Sequence, residues 1–527
     1  MFSKQIIIGS RGSDLALWQA NFVKDKLAQA GYDCVIQIIK TQGDKIQHLS
    51  FDKMEGKGFF TKELEDALLN ESIDLAVHSH KDLPTISPEK LCIAAVSERE
   101  DPADILLINK NALDTRQAWN LKKNACVGTS SIRRKTQLFA FRNDLQLQDL
   151  RGNVPTRIQK LREGKYDAIM LAAAGVARLQ FNLDEFHVEK LDPRQFVPAP
   201  AQGVLALQIR ESDKALADVL KVIHEPEVAQ KIDIERKVLN LFDGGCQLPL
   251  GVYCEKGYNV EDIPVYRVWV SKANPTDKAP LFSYYEKETA EHLAEDIVSH
   301  IHSVQPCRVF ISRNLFPGQL LHSSLSSQGF EVNGVSLISF KVIPIKSLPE
   351  SDWIFFSSKH AVDNFFKQNP ALTNQKIGAI GKSTADAIRK FGKRAEFIGQ
   401  STDTKIIGRQ FASRAGNGKV LFPIAKGSMR SVQNQFVKKD QVIDLPVYET
   451  IEHNDIALPQ ADILIFTSPS NVNAFFKNHL VTAQQKVIAM GGATEAELRK
   501  HGIRKCTLPN SFDDIGILQA VYKIATH

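Results

Sequence analysis

The amino-acid sequence predicts a multidomain protein of mixed α/β class, and three observations lead to that prediction. At 527 residues the chain is too long for one core, since single domains usually hold about 100–200 residues. Residues 1–200 alternate short apolar runs, turns with glycine or serine and segments of helical periodicity, which is typical of βα units. Residues 306–527 contain two similar segments at a constant offset of 110 positions.

The first βα unit can be read residue by residue. An apolar strand at 6–8 leads through a turn at 9–12 to Ser13, the predicted N-cap of a helix. The apolar residues of that helix follow at helical intervals: Leu15, Trp18, Phe22 and Leu27. Two later strands, at 125–127 and 145–150, lead into similar turns, and Pro155 is well placed in the first turn of the next helix.

A smaller α+β unit follows the βα units. Residues 215–242 have helical periodicity, and residues 252–285 read as strands. The segment 303–306 is the predicted boundary with the second half of the chain.

The second half carries an internal duplication. Residues 352–366 align without gaps to 462–476, and residues 376–392 align to 486–502. The constant offset predicts two similar α/β domains. Two further segments, 342–344 and 445–448, are expected to be paired connections between these domains, which would place a cleft in the middle.

Charge and motif patterns argue against some classes of function. The formal net charge is only +6, and the arginines occur singly or in pairs at turns. A nucleic-acid interface would instead cluster basic and aromatic residues on one element, so small acidic ligands fit this chain better. The histidines lack ligand spacing with cysteines or carboxylates, so we expect no metal site.

The cysteines and the N-terminal segment indicate in which cellular compartment the protein is expected. The seven cysteines are scattered and contain no close CxxC pair, which is typical of a reducing environment. The N-terminal segment lacks a charged region followed by a long apolar region, and no apolar run approaches about 18 residues. We therefore expect a cytoplasmic protein that does not enter a membrane.

Three motifs carry the strongest functional signal. They are Val77-His78-Ser79-His80-Lys81-Asp82-Leu83-Pro84, Leu150-Arg151-Gly152-Asn153-Val154-Pro155-Thr156-Arg157 and Gly244-Gly245-Cys246-Gln247-Leu248-Pro249-Leu250-Gly251. Together they resemble the hydroxymethylbilane synthase, or porphobilinogen deaminase, family. The resemblance covers residues 1–303. It implies two periplasmic-binding-protein-like α/β domains, 1–101 with 199–219 and 102–198, followed by a small α+β domain at 220–303. It also implies a dipyrromethane cofactor attached covalently to Cys246.

Cys246 and Asp82 are the residues on which the expected chemistry depends. The glycines beside Cys246 permit an exposed, tightly turned backbone, although a free cysteine is most often a small buried apolar residue. Asp82 follows an apolar strand and is the catalytic aspartate by resemblance; from position alone it could equally be a turn or capping residue. His80 and Gln208 depart from the family, which often has an apolar residue and an acid at these positions.

Arginines recur at the predicted strand-to-helix turns, where arginine forks and helix N-termini suit carboxylates. Any one alone would more often be a surface residue, but their recurrence predicts convergence on a cleft. By resemblance, the cofactor-binding residues are Lys81, Thr129, Ser130, Ser131, Arg133, Arg134 and Gly152. The substrate-binding residues are Arg11, Ser13, Lys57, Lys62, Arg151, Arg157 and Arg178. Helix capping is an equally good role for the hydroxyl groups in these sets.

The second half resembles the uroporphyrinogen-III synthase family, with one domain at 306–343 with 451–527 and the other at 350–446. The resemblance implies that this half closes a linear tetrapyrrole with inversion of the last ring. Tyr448 is then the proton-donor candidate, although a structural tyrosine is nearly as good an interpretation. The substrate-binding candidates are Ser358, Thr467, Ser468 and Thr494, of which most could simply cap helices.

The sequence therefore predicts a bifunctional, monomeric enzyme. Its ligands would be porphobilinogen and a linear tetrapyrrole, with dipyrromethane as cofactor and no nucleic-acid or membrane partner. Two alternatives stay open from the sequence. The first half could be a small-anion-binding protein, and the second half could be an inert scaffold or a non-catalytic tetrapyrrole-binding module.

Overall fold

The computed structural model describes residues 4–41, 61–242, 248–259, 261–274, 277–401, 403–453 and 455–526. The chain divides into two compact units. Unit 1 comprises Met1–Leu113, Lys122–Gln305 and Ala525–His527, and unit 2 comprises Asp114–Leu121 and Pro306–Ile524. Among the described residues, no helix combines the length and the apolar composition that crossing a membrane requires.

Unit 1 consists of two mixed sheets, one antiparallel sheet and the helices that accompany them. Its strands are β1 (Ile6–Ser10), β2 (Cys34–Ile38), β3 (Leu75–Ser79), β4 (Leu91–Val96), β5 (Asp104–Asn109), β6 (Cys126–Gly128), β7 (Gln146–Gln148), β8 (Ala168–Ala172), β9 (Phe186–Lys190), β10 (Leu205–Arg210), β11 (Leu250–Tyr258), β12 (Pro264–Lys272) and β13 (Leu281–Lys287). Its helices are α1 (Asp14–Gln29), α2 (Lys62–Leu69), α3 (Ile132–Phe141), α4 (Val154–Arg162), α5 (Ala173–Leu179), α6 (Lys214–Leu220), α7 (Pro226–Leu241) and α8 (Leu293–Ser303).

The two mixed sheets of unit 1 share one topology. In the first sheet, ordered β2-β1-β3-β10-β4, β1 is parallel to both neighbours and β10 is antiparallel to both of its own. In the second, ordered β7-β6-β8-β5-β9, β6 is parallel to both neighbours and β5 is antiparallel to both of its own. The segments that follow β1, β3, β6 and β8 carry most of the predicted site residues. The third sheet, β11-β12-β13, is antiparallel.

The first βα unit shows how these residues fold locally. Ile6 is fully buried and belongs to one apolar cluster with Val23 and Leu27 of α1. Burying such a side chain stabilises the fold by about 1.5–3 kcal/mol. The Ser13 hydroxyl accepts a hydrogen bond of 3.4 Å from the backbone N–H of Ala16, which confirms the predicted N-cap.

Unit 2 contains two further sheets. Its strands are β14 (Arg308–Ile311), β15 (Glu331–Gly334), β16 (Ile338–Val342), β17 (Trp353–Phe356), β18 (Lys376–Ala379), β19 (Phe397–Ile398), β20 (Val420–Ala425), β21 (Val442–Glu452), β22 (Ile463–Phe466) and β23 (Lys486–Ala489). Its helices are α9 (Leu320–Ser327), α10 (Lys359–Phe366), α11 (Lys382–Lys390), α12 (Thr404–Ala415), α13 (Pro469–Phe476), α14 (Gly492–Lys500) and α15 (Asp514–Ile524). The strand orders are β15-β14-β22-β23 and β16-β21-β20-β17-β18-β19.

The duplication read from the sequence is present in the structure of unit 2. The elements β17, α10, β18 and α11 reappear 110 positions later as β22, α13, β23 and α14. The correspondence continues to the first residues of α12 and α15, beyond the segments that aligned by sequence. Within the sheet β16-β21-β20-β17-β18-β19, β16 pairs antiparallel with β21, with Val342 opposite Tyr448. The five sheets and their helices confirm the predicted multidomain α/β class.

Candidate functional site

The segment after β3 forms a short exposed turn that carries Asp82. Residues His80–Asp82 form one 3-10 turn, closed by a 3.3 Å hydrogen bond from the Leu83 N–H to the His80 carbonyl. Asp82 is exposed, whereas His80 is buried on the other side of the turn. The carboxylate is therefore accessible to a ligand at the carboxyl end of β3.

Lys81 points from the same turn toward the second mixed sheet. Its Nζ donates to Oε1 of Gln202 at 3.3 Å. Burial lowers the pKa of Lys81, and the negative charge of Asp82 opposes that shift. The charges of Arg133, Arg134 and Asp104 also act on this pKa. Lys81 thus lies among the groups that follow β6 and begin β5.

Arg133 and Arg134, in the first turn of α3, share one buried carboxylate. Arg133 Nη1 lies 2.8 Å from Asp104 Oδ2, and Arg134 Nη2 lies 2.7 Å from Asp104 Oδ1. Burial alone would raise the pKa of Asp104, but the two guanidinium groups outweigh it and hold that pKa well below its ordinary value. Two positive charges facing one negative charge leave a net positive charge, which suits an acidic ligand.

Arg157 joins this cluster from α4. Its Nε donates to the Gly152 carbonyl at 2.7 Å, which ties the side chain to the turn before the helix. Burial, together with the positive charges of Arg134 and Arg151, lowers the pKa of Arg157 to about 10, and the negative charge of Asp82 opposes that shift. The electrostatic partners of Arg157 therefore come from three segments, and three predicted arginines, Arg134, Arg151 and Arg157, lie near Asp82.

Arg178 and Arg11 come from two other segments: Arg178 belongs to α5, and Arg11 directly follows β1. Arg178 is buried, donates to the Gly203 carbonyl at 2.7 Å and covers the Trp18 ring at 5.6 Å from its centroid. Burial lowers its pKa. Arg11 is half-buried, and its charge adds to the effect of burial in lowering the pKa of His78 to about 4. The hydrogen bond from Arg178 to Gly203 holds the turn before β10.

The predicted hydroxyl groups in unit 1 have local partners. Ser131 caps α3 by accepting from the Arg134 N–H at 3.4 Å. Ser130 Oγ donates to the Leu150 carbonyl at 3.0 Å, and Thr129 Oγ1 accepts from the Ser131 N–H at 3.3 Å. These contacts support the capping alternative and place the hydroxyls at the N-terminus of the helix that carries Arg133 and Arg134.

Three further residues were predicted from the sequence. Lys62 is exposed at the first position of α2, beside Thr61. Lys57 and Cys246 lie outside the described residues. Their roles stay predictions.

Two polar residues that organise the site, Asp104 and Gln202, were not predicted from the sequence. Gln202 Nε2 donates to Asp104 Oδ1 at 3.0 Å, while its Oε1 accepts from Lys81. Gln202 lies in the segment 199–219 that the sequence assigned to the first domain. Asp104 had no local signal, because its partners lie 29 and 30 positions away.

In unit 2, Tyr448 and Ser358 lie together. The Tyr448 hydroxyl is 3.5 Å from Ser358 Oγ, and its ring meets Phe340 edge-on at 5.1 Å. Burial raises the pKa of Tyr448. Ser358 also caps α10 by accepting from the Ala361 N–H at 3.1 Å.

The other predicted residues of unit 2 occupy the duplicated positions. Thr467 Oγ1 donates to the Ser312 carbonyl at 2.9 Å, and the Thr467 N–H donates to Ser312 Oγ at 2.9 Å. Ser468 caps α13 by accepting from the Asn471 N–H at 3.3 Å. Thr494 is buried in the first turn of α14. Ser312 was not singled out from the sequence.

Comparison with known proteins decides the family. The model described as "Porphobilinogen deaminase, dipyromethane cofactor binding domain" matches residues 6–218. The porphobilinogen deaminase of Gloeobacter violaceus is 46% identical over 256 residues, which are 48% of this chain and 77% of that protein. The chain belongs to the porphobilinogen deaminase family. The porphobilinogen deaminase of Nitratiruptor sp. is 39% identical over 298 residues, which are 56% of this chain and 94% of that protein.

A second family model, "Uroporphyrinogen-III synthase HemD", matches residues 319–519. The solved uroporphyrinogen-III synthetase of Helicobacter pylori is 19% identical and covers 40% of this chain and 97% of its own, with a TM-score of 0.31. The chain thus joins a porphobilinogen deaminase domain to a uroporphyrinogen-III synthase domain, and it is a bifunctional enzyme of tetrapyrrole biosynthesis with dipyrromethane as the cofactor of the first domain.

Proposed function

We propose that Asp82 is the catalytic carboxylate of the deaminase reaction. The observation that carries this proposal is its exposure at the end of β3, within electrostatic reach of Lys81 and Arg157. Linking porphobilinogen units requires loss of ammonia from an aminomethyl group, attack by a pyrrole carbon and loss of a ring proton. The first two steps place positive charge on a pyrrole, and loss of the ring proton removes it. A carboxylate beside the pyrrole stabilises that charge and moves the proton.

The cationic cluster is proposed to hold the acidic side chains of the cofactor and the substrate. Arg133, Arg134 and Lys81 would bind dipyrromethane, since the pair of guanidinium groups keeps a positive charge after its contacts with Asp104. When bound, dipyrromethane supplies the pyrrole chain that the substrate units extend. Cys246 would tether it.

The incoming substrate is proposed to bind a second group of cations. Arg151 and Arg157 follow β7 and belong to the turn and helix next to the Arg134 cluster. Arg11, Arg178 and Lys62, with Lys57, would complete the group, together with the Ser13 hydroxyl. Every added ring brings two carboxylates, so several guanidinium groups are needed to hold the growing chain.

For the second reaction, Tyr448 is proposed to protonate the hydroxyl group that leaves the linear tetrapyrrole. Burial raises the pKa of Tyr448, so the phenol keeps its proton at neutral pH and can donate it. Ser358, Thr467, Ser468 and Thr494 would hold the flexible substrate in the conformation that closes the ring. Fixing that conformation supplies much of the rate enhancement.

The test of the first proposal is the variant Asp82→Asn. It keeps the size of the side chain but removes the negative charge and the proton-accepting capacity, so turnover should fall by about 10²–10⁴-fold. Single-turnover consumption of porphobilinogen measures the rate, and intact mass shows whether the two linked pyrroles are bound. Asp82→Glu, which keeps the carboxylate, should recover part of the rate. Near-normal turnover of a loaded Asp82→Asn protein would remove Asp82 from the mechanism.

The cellular context is also proposed. The six described cysteines are free, which supports a reducing, cytoplasmic location. We propose a monomer, with the domains bounded at 1–101 with 199–219, 102–198, 220–303, 306–343 with 451–527, and 350–446. Light scattering during size-exclusion chromatography tests the oligomeric state, and limited proteolysis tests the boundaries.

A further inference from the structure

Arg236 lies beneath the turn that carries Asp82. From α7, its Nη1 donates to the His80 carbonyl at 3.3 Å and to the Leu83 carbonyl at 2.9 Å, and its Nη2 makes a short contact with the Pro84 carbonyl. These three carbonyls flank Asp82 on both sides. One guanidinium group therefore spans the whole catalytic turn.

The helix that carries Arg236 is itself firmly anchored. Its neighbour Glu235 is fully buried and accepts hydrogen bonds of 2.7 Å from the backbone N–H groups of Ala201 and Cys254. Arg99 Nη1 lies 2.7 Å from Glu235 Oε1, and Arg99 Nε donates to the Gln202 carbonyl at 3.1 Å. This network fixes α7 against the residue pair Gln202 and Lys81. Arg236 is thus mounted on a rigid element.

We propose that Arg236 is a positioning residue that holds the Asp82 carboxylate in its reactive place. The turn is a single 3-10 turn with one closing hydrogen bond, and its His80 N–H donates to the Val204 carbonyl at 2.9 Å, so its backbone gains much of its order from groups outside the turn. Charge-assisted hydrogen bonds from Arg236 to three carbonyls supply that order. The proposal rests on the proposed catalytic role of Asp82.

Removing the guanidinium group tests this role. In Arg236→Ala, kcat per cofactor-loaded molecule should fall by about 10²-fold, because a displacement near 1 Å of a reacting group costs that much. The KM for porphobilinogen should change little, since Arg236 does not bind substrate. Intact mass counts the loaded molecules, and steady-state kinetics gives both constants. Arg236→Lys keeps the charge with fewer donors and should retain an intermediate kcat.

Arg210 offers a matched control in the same unit. It is half-buried like Arg236 and donates to two carbonyls, Leu68 at 2.8 Å and Ile73 at 2.7 Å. These carbonyls lie before β3, at the strand end opposite to Asp82. Arg210→Ala should lower the melting temperature but leave kcat per loaded molecule unchanged. A similar loss of kcat in both variants would overturn the positioning role.

Chemical rescue separates positioning from general stability. Arg236 lines a cavity of about 380 Å³ together with Leu83 and Pro84, with exposed Asp233 also at its wall. Truncation to alanine enlarges this space, so a free guanidinium ion can enter and reach the same carbonyls. Guanidinium chloride at low millimolar concentration should restore kcat of Arg236→Ala at least fivefold and leave Arg210→Ala unaffected. A kcat of Arg236→Ala within twofold of wild type would overturn the proposal. A lowered kcat that guanidinium does not restore would also overturn it.

A double-mutant comparison links the effect to Asp82. If Arg236 acts through that carboxylate, adding Arg236→Ala to Asp82→Asn should cause no further loss of single-turnover rate. Additive losses would overturn the positioning role while leaving the role of Asp82 intact. A normal rate for Asp82→Asn alone would instead refute the proposed function. Failure of both Arg236 variants to acquire cofactor would assign Arg236 to cofactor assembly and overturn positioning.

Discussion

His80 and Gln208, the two residues that depart from the family pattern, line the same cavity in unit 1. Gln208 Oε1 lies 3.1 Å from His78 Nε2, so the amide has a polar partner in the interior. His80 Nδ1 is buried and has no hydrogen-bond partner in the part of the chain that the structure describes. A buried polar atom without a partner costs about 1–3 kcal/mol. The departure at position 80 therefore has a cost in stability.

That cost should depend on pH. Burial, together with the charges of Arg236 and His78, lowers the pKa of His80 to about 3. The unfolded chain binds a proton at pH values below about 6.5, whereas the folded protein does not until about pH 3. Folding stability therefore falls as the pH drops through this window, by about 2 kcal/mol at pH 5.

The variant His80→Met should remove the contribution of His80 to this dependence, because methionine has no proton to bind, and should leave the contribution of the buried His78. Its melting temperature should exceed that of the wild type by more at pH 5 than at pH 7.5, as differential scanning calorimetry at both values can show. His292→Asn removes an exposed histidine at φ +54°, a conformation that asparagine tolerates, and should leave the pH dependence unaltered. An identical pH profile for His80→Met and wild type would contradict the interpretation.

At this scale, sequence reasoning could find residues whose setting is local. Asp82 and the arginines lie in the turns and helices that follow strands, so their positions follow from the strand boundaries. Asp104 begins a strand and looks like an ordinary turn acid until the fold brings Arg133 and Arg134 to it. Arg236 lies within a helix, and the periodicity of that helix does not predict the hydrogen bonds from Arg236 to three carbonyls some 150 positions earlier.

At the scale of elements, helix α4 is flanked by two glycines in the left-handed region. Gly152 has φ +112°, and a Cβ added there would meet the Thr156 side chain at 2.7 Å. Gly164 has φ +71°, and a Cβ there would meet nothing within 4 Å. Alanine at either position carries a backbone penalty of about 1–2 kcal/mol. Only Gly152→Ala adds a steric clash, in the turn whose carbonyl holds Arg157.

Gly152→Ala should therefore destabilise the protein more than Gly164→Ala and should also raise the KM for porphobilinogen. The clash moves Thr156 and, with it, the first turn of α4, so the Arg157 guanidinium loses its place. Thermal unfolding compares the two variants, and steady-state kinetics gives the KM values. Equal loss of stability with an unchanged KM in both variants would show that the turn does not position Arg157.

Structural features that depend on neighbouring residues in the sequence were predicted correctly. The Ser13 cap, proline in the first turn of α4 and the duplication at offset 110 all appear where the sequence placed them. The match between α12 and α15 was missed because Thr404–Ala415 and Asp514–Ile524 share helical form but little sequence. The strand order could not be predicted from the sequence either. The strand β10 pairs with β3 and β4 although it lies more than 100 positions after β4, and the periodicity of a strand does not identify the strands that pair with it.

At the scale of the whole molecule, the two family domains fall largely in different units. The deaminase match at 6–218 lies mainly in unit 1, and the synthase match at 319–519 lies in unit 2. A change confined to unit 2 should therefore alter the second reaction without altering the first. Measuring both reactions in one sample then gives each variant an internal control.

Tyr448→Phe makes use of that control. Phenylalanine keeps the ring that packs against Phe340 but removes the proton donor, so the second reaction should slow by about 10²–10⁴-fold. Porphobilinogen consumption should stay normal. The linear product is unstable and closes spontaneously without ring inversion, so the share of the type I isomer should rise. Separating the oxidised uroporphyrins by chromatography gives that share.

Tyr522 provides the matched comparison for Tyr448. It is a fully buried tyrosine of unit 2, and its hydroxyl lies 3.3 Å from Ser324 Oγ. Tyr522→Phe removes a buried hydroxyl just as Tyr448→Phe does, so both variants should lose about 1 kcal/mol of stability. Only Tyr448→Phe should shift the isomer ratio, because only that hydroxyl is proposed to meet the substrate. A shift in both variants would trace the effect to loosened packing, and a shift in neither would remove Tyr448 from the chemistry while leaving the deaminase reaction of unit 1 untouched.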